Sequence, residues 1–145
     1  MKLSRELKNG LLIFIGIGIY FALINLLGYA HVFYLRLLNV IFVFYGVNKT
    51  LSMNIADGKK EFLSNAISGM TTSLIGVFLS LIGLLIYSYL KGGDAYVQTL
   101  SETFLFGGNP TVVTYTICLL FEGIASSLIV TMLLLFYWNN KYVAD

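Results

Sequence analysis

Four long apolar runs alternate with short polar stretches, and this alternation carries most of what the chain predicts. The runs cover about 10–28 (GLLIFIGIGIYFALINLLG), 32–47 (VFYLRLLNVIFVFYGV), 66–90 (AISGMTTSLIGVFLSLIGLLIYSYL) and 111–138 (TVVTYTICLLFEGIASSLIVTMLLLFYW). Runs of about 20 residues match the length of helix that crosses hydrocarbon. They predict an all-α integral membrane bundle of four antiparallel transmembrane helices. The turn at Gly28–His31 is so short that the first two spans must form a hairpin. Between the third and fourth spans, Asp94 can cap a short helix that Gly107 and Gly108 can end, with Val97, Leu100, Phe104 and Leu105 on one face. That spacing predicts an amphipathic helix in the outer 3–4 connection. Asn109 and Pro110 then suit the cap and first position of the fourth helix.

Composition narrows the class. Of 145 residues, 58% are apolar and only 11% are charged, against roughly 45–50% and about a quarter in soluble domains. Four spans of about 20 residues consume some 80 positions. None of the remaining pieces approaches the roughly 40 residues that a soluble domain needs. The chain is therefore expected to be a single membrane domain over 1–145 with no soluble domain. This excludes a cytoplasmic enzyme acting on soluble substrates.

Charge sets the orientation. Lys2, Arg5, Lys8, Lys49, Lys59, Lys60 and Lys141 fall on one side of the alternating spans, Lys91 falls on the other, and Arg36 lies inside the second run. The positive-inside rule places both termini in the cytoplasm. Tyrosines and other aromatics gather near both ends of the runs, as expected of residues that anchor at the headgroups. The basic residues form no stripe interleaved with stacking aromatics, so nucleic acid is not an expected partner. Gly28-Tyr29-Ala30 offers small residues at cleavage positions, but the first run exceeds a signal core and is expected to stay in the chain.

Two features suggest how the helices meet. Gly69, Ser73, Gly76, Ser80 and Gly83 recur at heptad spacing in the third run. Small residues let helix backbones approach in lipid, so this stripe is the expected packing seam. The second feature is an intramembrane polar cluster. Ionisable residues within spans are costly and mark sites by default, and the runs contain two, Arg36 and Glu122. At 1.5 Å per residue, Arg36 lies roughly 6–8 Å and Glu122 about 10 Å below the outer boundary. Asn39, Asn25 and Ser126 lie near the same level. The first expectation is an Arg36–Glu122 ion pair, satisfied by these amides and the hydroxyl, that fixes helix register; the alternatives are a ligand, ion or proton site, an interface with another subunit, or Arg36 reaching up to the outer headgroups.

No cofactor or metal is expected. His31 is the sole histidine and Cys118 the sole cysteine, which excludes a multi-histidine metal site and paired-thiol chemistry. Gly16-Ile17-Gly18 lacks the third glycine of a dinucleotide loop and sits within an apolar run. Hydrolase, kinase and metalloprotease signatures are missing from the chain.

The Gly46-Val47-Asn48-Lys49 exit, the Gly58-Lys59-Lys60-Glu61-Phe62 re-entry and the Ser68-Gly69 start of the third run carry one resemblance. With these motifs the chain resembles a domain-of-unknown-function family of small four-helix bacterial inner-membrane proteins. The resemblance implies a multi-pass protein of a bacterial inner membrane and brings no catalytic residues. Residues and resemblance together lead to one expectation: a small structural or accessory subunit whose partners are the bilayer and either itself or a larger membrane complex. The alternative is a minimal transporter or channel-like oligomer built on the Arg/Glu/Asn cluster, with a lipid-acting membrane enzyme third.

Overall fold

The computed structural model describes residues 3–100 and 109–142, and the described chain is helical throughout its regular structure. The helices are α1 (Arg5–Leu26), α2 (Phe33–Leu37), α3 (Val40–Ala56), α4 (Phe62–Leu90), α5 (Asp94–Leu100) and α6 (Val112–Tyr137), followed by a 3-10 turn (Asn139–Lys141). Of these, α1, α4 and α6 are long and apolar enough to cross a membrane. Their ends are set by local chemistry. The Ser4 hydroxyl caps α1 by accepting from the Leu7 amide at 3.2 Å, which satisfies a donor with no partner inside the helix. Gly28 stops α1 and Gly58 stops α3 at φ near +80°. Each is followed by an amide reaching back five residues, Tyr29 to Ile24 and Lys59 to Asn54. This closing pattern requires the left-handed backbone that glycine adopts freely.

The second apolar run differs most from its expectation of one span over 32–47. Its helix extends through Ala56, and it tightens at Leu38–Asn39, where α2 meets α3. There the amides of Asn39, Ile41 and Phe42 bond three residues back, to Arg36, Leu38 and Asn39, at 3.0–3.1 Å. A single 3-10 step therefore joins α2 to α3 in one rod. The polar stretch 48–65 that separates the second and third runs leaves only Asp57–Glu61 outside the helices. Asn48, Thr50 and Asn54 look like loop residues by composition, but they face partners inside the bundle. The start of α4 moves back to Phe62 because Asn65 fastens the turn, its amide donating to the carbonyls of Lys59 and Glu61 at 2.8 Å.

The helix at 94–100 is present. Val97 and Leu100 are buried against Ala30, Val112 and Tyr115, so α5 lies against the bundle. Phe104, Leu105, Gly107 and Gly108 lie outside the described residues. Helix α6 starts at Val112, two residues later than Asn109–Pro110 suggests, because Thr111 is the cap and accepts from the Thr114 amide at 3.1 Å. Asp94 holds the same helix end by accepting from the Val112 amide at 2.8 Å.

Helix α1 packs on α3 and α4, and α6 packs on α3 and α4 from the other side. Ile13 locks the first of these contacts. It is fully buried between Gly46 and Gly76, where an added Cβ at Gly76 would lie 2.6 Å from its side chain. Lower on the same face, a Cβ at Gly10 would lie 2.5 Å from Ile75. Small residues thus admit a branched knob from the neighbouring helix, and dispersion contacts fill the gap. The third-run stripe divides between two neighbours. Gly76 and Gly83 approach Ile13 and Phe14 of α1, whereas Gly69 approaches Thr131 of α6 and Val47 of α3. Ser73 is buried and Ser80 half-buried, with the Ser80 hydroxyl donating to the Gly76 carbonyl at 2.8 Å.

Candidate functional site

The residues expected to form one polar cluster occupy three separate places. Arg36, on α2, turns to Tyr115 on α6. Its guanidinium donates to the Tyr115 hydroxyl and lies 5.6 Å from the ring centroids of both Tyr115 and Phe33. Tyr115 is almost completely buried. The cation is therefore held by a hydroxyl and two aromatic faces. The Arg36 Nε and the Asn39 Oδ1 are buried without a hydrogen-bond partner among the described residues. Both flank the 3-10 step.

Asn25 belongs to a different group. Its amide donates to the Tyr87 hydroxyl at 2.9 Å, and its carbonyl accepts from the Tyr96 hydroxyl at 3.3 Å. Tyr87 packs edge-on against Phe21 and Tyr96, and Lys91 sits 5.7 Å above the Tyr87 ring. The group ties α1 to the end of α4 and to α5. Burial, and then the neighbouring Tyr87, push the Tyr96 phenol up to about 12.

Glu122 lies outside both groups. It is exposed on α6, with Ser126 half-buried one turn further on, and it forms no ion pair with Arg36. The ion pair among the described residues joins Arg5 to Asp57.

A second set of polar residues lies where α1 and α4 begin and α3 ends. The Asn9 amide donates to the Thr50 hydroxyl at 2.8 Å, and the Thr50 and Thr72 hydroxyls are 2.9 Å apart. Thr50 and Thr72 also reach the carbonyls four residues back, Gly46 and Ser68. Nearer the helix ends, Asn54 donates to Ser68 at 3.0 Å, and Ser68 donates to Glu6 at 2.6 Å. Arg5 closes the array by donating to Asn54 and Asp57. Asn9, Thr50, Asn54, Ser68 and Thr72 are all buried. On the far side of the bundle, Trp138 donates to Asn48 at 2.9 Å.

This ladder joins α1, α3 and α4 through side chains that a hydrocarbon solvent could not satisfy. Beside it opens a cleft of about 270 Å³ lined by Ser4, Glu6, Asn54, Lys59, Ser64, Ile67, Ser68 and Thr71. The ladder was missed by reading charge alone. Its signal is periodic: Arg5/Asn9, Thr50/Asn54 and Ser68/Thr72 are polar pairs at i, i+4, which places each pair on one helix face. Hydroxyls and amides joined in this way set helix register, and the arrangement pairs no activated nucleophile with a base.

No protein-family model, no curated protein and no solved structure matches the chain.

Proposed function

We propose that this chain is an integral membrane protein of four crossings, with α2 and α3 together making the second, and that it serves as a small structural or accessory subunit of a larger membrane assembly. The observation that carries this reading is an apolar exterior around an interior that holds polar residues beside its apolar cores. The exterior of α1, α4 and α6 is apolar, with Ile19 59%, Ile82 55%, Ile129 60% and Phe136 67% exposed, while the interior holds Asn9, Thr50, Asn54, Asn65, Thr72 and Ser127. Water would reward the opposite arrangement, and hydrocarbon favours this one. The joined α2–α3 rod of about 24 residues reaches roughly 36 Å at 1.5 Å per residue, enough for a crossing. The basic residues Arg5, Lys8, Lys59, Lys60 and Lys141 then mark the cytoplasmic end, and the resemblance to the small four-helix family supports a bacterial inner membrane.

A scaffold role is supported by how the interior polar groups are used, since they bond mainly to one another and to backbone carbonyls. A transporter reading would need Glu122 in a polar cavity of the chain or lining the axis of a symmetric oligomer, and in the single chain Glu122 lies on the outside of α6.

Topology and assembly can be tested together. In a Cys118→Ala background, a membrane-impermeant maleimide should label Gly92→Cys in intact cells and Asp57→Cys only after the cells are opened. The extracted protein should migrate with larger species in native gels. Labelling of both positions from outside would overturn the topology, and a monomer in mild detergent would overturn the subunit role.

A further inference from the structure

Glu122 is a carboxylate on the exposed surface of α6. It has no hydrogen-bond or ion-pair partner among the described residues, and its surroundings on α6 are the exposed Ile117, Phe121 and Leu128. Facing hydrocarbon, such a group is strongly disfavoured unless something meets it. Of the four positions one turn away, Cys118, Ala125 and Ser126 are small and Leu119 is not, and Ala125 is exposed. A helix backbone can therefore come close at this level.

We infer that the Glu122 face of α6 is a docking surface for a membrane-spanning helix of another protein that carries a lysine or arginine at the depth of Glu122. This inference rests on the reading of the chain as an integral accessory subunit. Charge decides the occupant. Among the helices that cross, Arg5, Lys8 and Lys49 lie toward the end of the bundle where α1 begins and α3 ends, which leaves Arg36 as the cation nearest the level of Glu122, and it is engaged with Tyr115 and Phe33. A second copy docking on the same face brings only another carboxylate, and a ring of copies around Glu122 gathers like charges in a medium that does not screen them. A basic side chain neutralises the carboxylate and supplies its hydrogen bonds in one contact.

The experiment uses the full chain, donor-labelled at its N-terminus, in phosphatidylcholine vesicles. The probes are acceptor-labelled leucine–alanine helices with either one lysine or a leucine at the depth of Glu122. Energy transfer to the lysine helix is expected at about tenfold lower peptide-to-lipid ratio than to the leucine helix. Both Glu122→Gln and Glu122→Leu should abolish that preference. Equal transfer to the two helices, or a preference that survives Glu122→Leu, overturns the inference. Glu122-dependent transfer between donor and acceptor copies of the chain itself also overturns it, in favour of a homo-oligomer. Carbonate extraction of the same vesicles separates the two levels of failure. A chain that stays in the membrane but ignores the lysine loses only the docking surface, whereas a chain that is stripped loses the membrane reading with it.

Discussion

The Thr50 and Thr72 hydroxyls lie 2.9 Å apart in the buried contact of α3 with α4. Thr50 also accepts from Asn9 of α1 at 2.8 Å, so one hydroxyl connects three helices. Each of the three side chains is buried, and leaving any of them without its partner exposes an unpaired polar group to an apolar interior.

Thr50→Val tests this junction. The replacement keeps the shape but strands the Asn9 amide, and buried groups left unsatisfied cost about 1–3 kcal/mol. Unfolding in mixed detergent should show a loss of that size. Combining Thr50→Val with Asn9→Leu should cost less than the two single changes added together, because the second removes the group that the first stranded. Strict additivity would show that Asn9 and Thr50 are not coupled.

Glycine sites on the helices divide into two kinds. An added Cβ at Gly76 would meet Ile13 at 2.6 Å and the Gly10 carbonyl at 3.2 Å, whereas one at Gly18 would meet nothing within 4 Å. Gly76→Leu should therefore destabilise by about 1–3 kcal/mol or more through overpacking. Gly18→Leu should stay within about 0.5 kcal/mol, as expected of an outward position. Thermal unfolding in detergent checks both, and equal losses at the two sites would contradict the knob-and-notch contact around Ile13.

How far the chain could be read in advance follows from the same residues. The helices α1, α4 and α6 were legible because their apolar runs are long and nearly free of charge. The α2–α3 rod was not. Asn48, Thr50 and Asn54 carry the composition of a loop, and only the facing Asn9, Ser68, Thr72 and Trp138 make them helix interior. The seam was legible as a stripe, but Gly69 turns to α6 and α3 while Gly76 turns to α1. Spacing along one helix cannot distribute a stripe between two neighbours. The polar cluster meets a related limit. Counting residues gives the depth of Arg36 and Glu122 but not what stands beside each. Tyr115, two turns from Glu122 along α6, takes the guanidinium through its hydroxyl and ring. An aromatic near a helix end reads first as an interfacial anchor.

The pairing of Arg36 can be measured directly. Tyr115→Phe keeps the ring and removes the acceptor, which should cost about 1.5–3 kcal/mol for a hydrogen bond to a charged group. Double-mutant cycles should give a coupling of at least about 0.5 kcal/mol between Arg36 and Tyr115, and close to none between Arg36 and Glu122. The reverse ranking would restore an Arg36–Glu122 pair.

The Tyr96 phenol supplies a pH signature at the opposite end from the ladder. Its pKa rises from the ordinary 10.0 to about 12 in the folded chain, chiefly by burial and then by Tyr87. The neutral form is thus favoured by folding. The associated stability is fully present below pH 10, where unfolded tyrosine stays neutral, and it is lost as pH rises through about 12. The late part of the phenolate titration should lose the contribution of one tyrosine in Tyr96→Phe. In the same interval the wild type should lose stability more steeply than the variant, because the variant has no proton to release there. A Tyr96 that ionises near 10 would mean that its hydroxyl is open to water and that its bond to Asn25 does not hold α5 against α1.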